Sequence, residues 1–346
     1  MNELRTDIDR WHARGEQVAL ATVIATRRSS PRPVGSKLAV SAGGELAGSV
    51  SGGCVESDVV LTAQEVLAGG PPRLVTYGIT DDMALSVGLP CGGEIDVFVE
   101  RLPAFDFGEP GVLLTIVDGD EIGAKLLVRE DGSTAGDGPA ELASLAPGAL
   151  RAGRSHVLEH DGVSVFADVF GPPPRLLVYG AIDTAEALCR AAKLIGWTTI
   201  VADARARFAT RERVPSADEV LVLWPEETLE HVRPDFRTAI VVLTHDDKFD
   251  VPMLTGALAT EAFYVGALGS RRNQERRNAV LREAGVPESD VERIAGPAGL
   301  DIGADSPAET ALSMLAEILA VRAGRKGGPL KDTPHRIHAE AAAGKK

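Results

Sequence analysis

Cysteine is scarce in this sequence, with three in 346 residues. An odd and small number of cysteines does not build the disulfide framework of a secreted protein, so reduced thiols are expected. The chain also lacks a C-x-x-C pair and a histidine at ligand spacing, which disfavours a zinc site. The N-terminal residues 1–15 are polar and mixed in charge, so we expect no signal peptide and a cytoplasmic protein.

Positive charge and long apolar runs are scarce as well. The chain has 36 Lys and Arg against 50 Asp and Glu, which gives a net charge of −14. Such an acidic surface repels phosphate backbones, so general nucleic-acid binding is disfavoured, whereas a small anion in a locally basic pocket is not. No apolar run approaches the length of a membrane span. With 44% hydrophobic residues, the composition is typical of a globular protein, and the length predicts two domains.

Three consecutive prolines divide the chain into two parts with different hydrophobic patterns. Residues 1–169 predict a β-rich α+β N-terminal module, in which the Gly-, Ala- and Pro-rich stretch 130–150 is expected to be loop. Residues 170–174 predict a stiff linker. Over residues 175–325 apolar strands alternate with helices, which predicts an α/β domain with a Rossmann-like doubly wound parallel sheet. The basic residues 326–346 predict a tail.

Two turns in the N-terminal module place a cysteine beside paired glycines. The first, Gly52-Gly53-Cys54, leads into a helix predicted over 54–67, and the free amides of a helix start stabilise an anion or a thiolate. The second, Cys91-Gly92-Gly93, has glycines that allow close approach of a ligand to the backbone. Structural alternatives stay open for both: a small buried cysteine after a hairpin for the first turn, and an incidental cysteine for the second.

The first βα turn of the second half, Gly180-Ala181-Ile182-Asp183, has the position of a dinucleotide-binding fingerprint. Asp203 ends the next strand, near the distance expected for an acid that binds a ribose. However, Ile182 replaces the second glycine and would crowd a pyrophosphate, and Asp183 would repel one. The turn therefore favours the Rossmann-like fold while it disfavours NAD(P).

Three further segments of the second half lie at predicted strand ends, where ligands of doubly wound sheets bind. Gly269-Ser270-Arg271-Arg272 leads into a helix, and both the helix dipole and the arginines favour an anion there. His245 and Asp246 follow a buried strand, and His245 is able to serve as acid, base or donor. Asp301 stands between two glycines and has no capping role. The alternatives are a solvated helix face for the arginines and a capping loop for His245.

The helix predicted over residues 307–323 carries more apolar side chains than one buried stripe requires. Leu315 and Leu319 are assigned to that stripe, while Met314 and Val321 extend the apolar surface around the helix. A spare apolar face favours a homodimer.

The chain resembles the XdhC/CoxI family, the accessory proteins of xanthine dehydrogenase, over about residues 15–325. The resemblance is carried by long motifs in both halves: Gly35-Ser36-Lys37, Gly48 to Glu56, Cys91-Gly92-Gly93-Glu94, Thr244 to Lys248, Tyr264 to Arg272 and Gly299 to Gly303. One departure concerns the first Rossmann-like turn. Many relatives read Gly-Ala-Gly-His there, so the role of that histidine does not transfer to this chain.

The resemblance implies a chaperone rather than an enzyme with turnover. Family members bind the molybdenum cofactor, protect it while a cysteine desulfurase partner replaces an oxo ligand with sulfur, and pass it to a molybdenum hydroxylase client. The glycine turns and arginines suit the cofactor's phosphate, and Cys54 or Cys91 would lie near molybdenum, since a thiol suits a soft metal centre. The implied cofactor-binding residues are Gly52, Gly53, Cys54, Glu56, Cys91, Gly92, Gly93, His245, Asp246, Gly269, Ser270, Arg271, Arg272 and Asp301. The alternative is an NAD(P)- or nucleotide-linked oxidoreductase built on the Rossmann-like half.

Overall fold

The structure, a computed structural model, describes residues 2–27, 30, 32–78, 93–103, 105 and 109–333. They form two compact units, and the division falls between Pro172 and Pro173, within the three prolines. Cys91 and Gly92 lie outside the described residues, as do the last 13 residues of the predicted tail.

The N-terminal unit contains two antiparallel sheets among its described residues. Its elements in chain order are α1 (Asn2–Ala13), β1 (Val18–Arg27), β2 (Lys37–Ser41), β3 (Leu46–Gly48), α2 (Glu56–Leu67), β4 (Arg73–Tyr77), β5 (Glu94–Arg101), β6 (Gly111–Ile116), β7 (Lys125–Arg129), β8 (Thr134–Gly136), a 3-10 helix (Ala140–Leu145), α3 (Ala146–Ala152), β9 (His156–His160) and β10 (Val163–Phe170). The strand orders are β3-β2-β1-β5-β4 and β8-β7-β6-β10-β9. Helix α2 buries Val59, Ala63 and Val66 against the first sheet.

The expectation of a loop over 130–150 is wrong. This segment forms β8, the 3-10 helix and most of α3, which ends at Gly153 in a left-handed conformation. The segment is ordered by packing, because Leu142, Ala146 and Ala149 are buried against the second sheet. Its Gly, Ala and Pro content did not indicate these contacts. A proline is accommodated in the first turn of α3, where its missing N–H has no helical partner.

The C-terminal unit contains one parallel six-stranded sheet. Its elements are β11 (Arg175–Tyr179), α4 (Asp183–Leu194), β12 (Thr198–Ala202), β13 (Glu219–Leu221), α5 (Pro225–Val232), β14 (Thr238–Val242), α6 (Asp247–Leu258), β15 (Tyr264–Ala267), α7 (Arg271–Glu283), α8 (Glu288–Val291), β16 (Ile294–Ala295), α9 (Pro307–Arg322) and a 3-10 helix (Leu330–Asp332). The strand order β13-β12-β11-β14-β15-β16 is that of a Rossmann fold. Helices α4 and α9 pack on one face and α6 and α7 on the other. The predicted fold class is confirmed.

Helix α9 presents a different apolar face from the predicted one. Leu315 and Met314 are both buried, whereas Leu319 and Val321 are exposed, together with Leu312 at 55% of its surface. The assignment of Leu319 to the buried stripe and of Met314 to the exposed face is therefore wrong, because α4 covers the adjoining side of α9. No helix in the described part of the chain is long and apolar enough to span a bilayer.

Candidate functional site

The Gly52-Gly53-Cys54 turn holds a carboxylate of its own chain. Both glycines have positive φ angles, 78° and 116°, which bend the backbone around the side chain of Glu56. Its Oε1 accepts from the Ser49 hydroxyl at 2.7 Å and the Ser51 amide at 2.9 Å, and its Oε2 accepts from the Gly53 amide at 2.8 Å. The Ser51 hydroxyl also donates to Oε2. The turn is a built anion site that Glu56 fills.

This arrangement makes the pKa of Glu56 unusually low. Burial of the carboxyl opposes ionisation, but the hydrogen bonds from Ser49 and Ser51 outweigh burial and lower the pKa to about 2. The carboxylate is therefore charged throughout the physiological range, and the amides that it binds are not free for an external phosphate.

Cys54 lies just before the helix rather than within it. Helix α2 begins at Glu56 with Val55 as its N-cap, so the prediction that the helix begins at Cys54 is wrong by two residues. The cause is local, because the Ser51 hydroxyl accepts a hydrogen bond from the Cys54 amide at 2.9 Å and holds residues 51–54 as a turn. The cysteine is exposed, which also removes the alternative of a small buried residue.

Of the second cysteine turn, the structure describes only Gly93, which is buried and directly precedes β5. We expect Cys54 and Cys91 to face one cleft, because two thiols beside glycine turns would serve one ligand. Since Cys91 lies outside the described residues, this stays a prediction.

Asp203 directly follows β12, as predicted, but its carboxylate is engaged within the protein. It is fully buried and accepts two hydrogen bonds from the Arg205 guanidinium, at 2.8 and 2.7 Å, and one from the Ala181 amide at 3.0 Å. Burial opposes ionisation of Asp203, yet the bonds from Arg205 hold the pKa of this carboxyl below its ordinary value. Arg205 was missed at the sequence level, although an arginine two residues after a strand-ending aspartate was a usable signal.

Ile182 and Asp183, which depart from the dinucleotide-binding motif, both make contacts within this unit. Ile182 packs against the core formed by α4 and α9. That its side chain would crowd a pyrophosphate stays a prediction. Asp183 is 86% exposed and pairs with Arg213 at 3.5 Å. Gly180 is required by packing, because a Cβ atom there would lie 3.1 Å from the Thr244 amide nitrogen.

The loops after β14 and β15 are joined by two ion pairs between α6 and α7. Arg277 and Asp250 are both buried and lie 3.0 Å apart, and Arg276 binds Asp247 at 2.5 Å. Arg277 also donates to the Leu268 carbonyl at 3.0 Å, so it supports the turn that precedes α7. These two arginines are structural and do not contribute to a free basic surface.

Arg271 and Arg272, unlike Arg276 and Arg277, are not held in ion pairs by described residues. Both are exposed in the first turn of α7, and neither pairs with an acidic side chain of the described residues. Ser270 caps the helix by accepting the Asn273 amide at 3.2 Å, and Gly269 precedes it with a φ of 153°. The two arginines are thus free cations at a helix start, where the dipole has the same sign.

His245, Asp246 and Asp301 are exposed in loops that follow β14 and β16. Asp246 caps α6 by accepting the Lys248 amide at 3.2 Å, and its side-chain bond to Lys248 lowers the pKa of the carboxyl. Asp301 makes no ion pair with another described residue. Since carboxyl ends of parallel strands meet at one sheet edge, His245 and Asp246 after β14 lie at the edge that carries Arg271 and Arg272 after β15. Asp301 is not brought there, because the neighbouring Leu300 donates its amide to the Ser313 carbonyl at 3.3 Å, in the middle of α9. Gly52, Gly53, Cys54 and Glu56 belong to the other unit.

The fold defines a class of two-unit proteins in which an antiparallel unit precedes a Rossmann-type sheet. Two family models match this chain: the XdhC Rossmann domain over residues 176–318 and the XdhC and CoxI family over residues 11–78. The chain belongs to the XdhC and CoxI family.

Its similarity to individual proteins extends over nearly the whole chain. It is 29% identical to a probable xanthine dehydrogenase subunit of Bacillus subtilis, with 93% of this chain and 98% of the relative covered. It is 28% identical to the molybdenum cofactor insertion chaperone PaoD of Escherichia coli, with 89% and 84% covered. A solved xanthine dehydrogenase from Bacillus halodurans has a TM-score of 0.66 at 24% identity, with 95% of this chain and 97% of that chain covered. That structure shows a shared fold.

Proposed function

We propose that this protein is a chaperone for the molybdenum cofactor. It binds the cofactor as cargo, shields it while a cysteine desulfurase partner sulfurates the metal, and delivers it to a molybdenum hydroxylase of the xanthine dehydrogenase type. Two relatives support this role by their names, one as a molybdenum cofactor insertion chaperone and one as a probable xanthine dehydrogenase subunit.

The observation that carries the proposal is the pair of free arginines at the start of α7. The cofactor carries a phosphate, and Arg271 and Arg272 are cations at a helix N-terminus that no described acidic residue neutralises. In a chain with a net charge of −14, a local positive site selects a small anion over a polyanion, because the remaining surface repels extended phosphate backbones. In this proposal His245, Asp246, Gly269 and Ser270 complete the phosphate site.

The exposed thiol of Cys54 suits the sulfurated metal of the same cargo. Thiolates are soft ligands that bind or shield soft metal centres, and Cys54 is accessible on a turn that Glu56 makes rigid. In this proposal Gly52, Gly53 and Glu56 hold the turn in shape, and Cys54 is the group that meets the cargo.

The alternative, an NAD(P)-linked oxidoreductase, requires a free acid or cation for the ribose at the end of β12. Asp203 is fully buried and binds Arg205, which argues against that use. Tryptophan fluorescence tests the alternative directly, because Trp224 is 51% exposed while Trp11 and Trp197 are buried. A saturable change on titration with NADH or NADPH would favour the oxidoreductase over the chaperone.

The proposed function is tested by the molybdenum content of the protein purified from a host that makes the cofactor. We expect wild type to retain molybdenum and the double variant Arg271→Ala, Arg272→Ala to lose most of it. The matched control is Arg190→Ala, since Arg190 is also exposed on a helix of this unit and makes no ion pair with described residues. Wild type without molybdenum, or equal content in all three proteins, would contradict the proposal.

A further inference from the structure

A cavity of about 500 Å³ lies in the N-terminal unit, where the end of β5 meets β7 and β8. Glu100 and Arg101 line it from the first sheet, and Lys125 and Asp137 line it from the second. Leu102 and Phe105 add apolar wall. This volume is within the range that small-molecule sites occupy.

The polar wall of the cavity is a buried ion pair. Lys125 Nζ binds Glu100 Oε2 with side chains that are only 8% and 9% exposed, and it also donates to the Gly123 carbonyl at 2.9 Å. Burial raises the pKa of Glu100, although the charge of Lys125 opposes the shift. No described residue donates to the second carboxylate oxygen of Glu100, Oε1. This oxygen is therefore a free acceptor beside the Lys125 ammonium group, which Glu100 Oε2 and the Gly123 carbonyl hold in place.

A second ion pair joins the same two sheets, and its charges also act on the Glu100 carboxyl. Lys37 of β2 and Asp168 of β10 lie 2.8 Å apart and are 6% and 14% exposed, and Asp168 also accepts from the Ser155 hydroxyl at 3.0 Å. This pair links the same two sheets but does not line the cavity. Because a buried ion pair contributes little net stability, the placement of Glu100 and Lys125 on a cavity wall indicates binding.

We infer that the cavity binds the 2-amino-4-oxopyrimidine ring that pterins and guanine share. One edge of that ring presents two adjacent N–H donors and then a carbonyl oxygen. The Glu100 carboxylate accepts from the donors, the Lys125 ammonium donates to the carbonyl, and Leu102 and Phe105 cover the ring. Cytosine presents an acceptor where this ring presents its central donor, so the carboxylate rejects it. The inference rests on the proposed function, since the cargo contains a pterin, and it assigns the pterin to the N-terminal unit.

The test measures binding of free pterin to the full chain by the pterin's own fluorescence, with guanosine and cytidine monophosphates as competitors. We expect wild type to bind pterin, guanosine monophosphate to compete, and cytidine monophosphate not to compete. Binding of guanosine monophosphate without pterin would assign the same cavity to guanine. Binding of neither would overturn the inference.

Two variants test the site by independent routes. Glu100→Gln replaces the double acceptor and is expected to weaken pterin binding by about tenfold or more. Pro103→Trp fills the cavity, which Pro103 also lines, without touching the ion pair, and should abolish binding. Glu16→Gln is the control, because Glu16 pairs with Arg14 in the same unit and does not line the cavity. Melting curves will check that each variant folds, and equal binding by wild type and Pro103→Trp would overturn the inference.

Molybdenum content separates this inference from the proposed function. If wild type retains molybdenum but binds neither pterin nor guanosine monophosphate, the cavity assignment fails and the chaperone role stands. If wild type binds pterin in the cavity but retains no molybdenum, the cavity assignment stands and the chaperone role fails.

Discussion

Glu56→Gln tests how far the N-terminal unit depends on the carboxylate that fills the glycine turn. In the folded protein the pKa of Glu56 is about 2, against an ordinary value of 4.5. A difference of this size corresponds to about 3 kcal/mol of stability at neutral pH. Because the carboxylate is only partly buried, solvent screening reduces the contribution to about 1–2 kcal/mol. For a unit of this size, the melting temperature should fall by roughly 2–8 °C.

The pH dependence follows from the direction of the same shift. Since folding lowers the pKa, the stabilisation is fully present above pH 4.5, the ordinary value, and is lost as the pH falls toward 2. Differential scanning calorimetry should therefore show a difference between wild type and Glu56→Gln that is larger at pH 7 and falls to roughly two fifths of that value at pH 3.

The matched control for this experiment is Glu65→Gln on the same helix. Glu65 forms an exposed ion pair with Arg73, in which the two side chains are 58% and 50% exposed. Such a surface pair contributes about 0–1 kcal/mol, so its loss should hardly change the melting temperature. The reasoning is refuted if Glu56→Gln melts with wild type at pH 7, or if the two variants lose equal stability.

Three further outcomes are expected. Cys54→Ala should melt like wild type but reduce activation of the client hydroxylase. The control Cys189→Ala should keep activation, because burial raises the pKa of that core thiol to about 12. Equal activation by both variants would remove Cys54 from the mechanism. If the exposed face of α9 forms a homodimer, Leu312→Asp should lower the mass measured by light scattering at micromolar concentration. The control Leu194→Asp, at an even more exposed position, should leave the mass unchanged. A monomeric wild type would contradict the dimer. Arg277→Ala should cost about 3–5 kcal/mol in urea unfolding, because it leaves a buried carboxylate unpaired, and a loss below about 1 kcal/mol would show that the carboxyl is neutral.

The cavity in the N-terminal unit shows where sequence patterns stop being informative. Glu100 and Lys125 stand in two different strands, 25 residues apart, and nothing in either strand relates one to the other. Their contact depends on how two separate sheets pack. A charged residue within a buried strand was the only signal, and it indicates a partner without naming it.

The sequence by itself determined the features that depend on neighbouring residues. The alternation of apolar strands and helices after the three prolines is local, so it predicted the parallel sheet of the C-terminal unit and the positions of Gly180 and Asp203. The start of α9 was also predictable, because Ser306 and Glu309 form a capping box over four residues.

Only the tertiary structure decided which charged groups are free. The sequence has five arginines over residues 271–282, and their charge does not tell which of them are paired. In the structure Arg276 and Arg277 bind acids of α6 and Arg282 binds an acid of α8, whereas Arg271 and Arg272 pair with no described acid. In the same way, Glu56 occupies the anion site that the glycine turn predicts for a ligand. The physical reason is common to both cases: hydrophobic periodicity acts along the chain, whereas a charge finds its partner across the fold, wherever packing brings an opposite charge or a free amide within hydrogen-bonding distance.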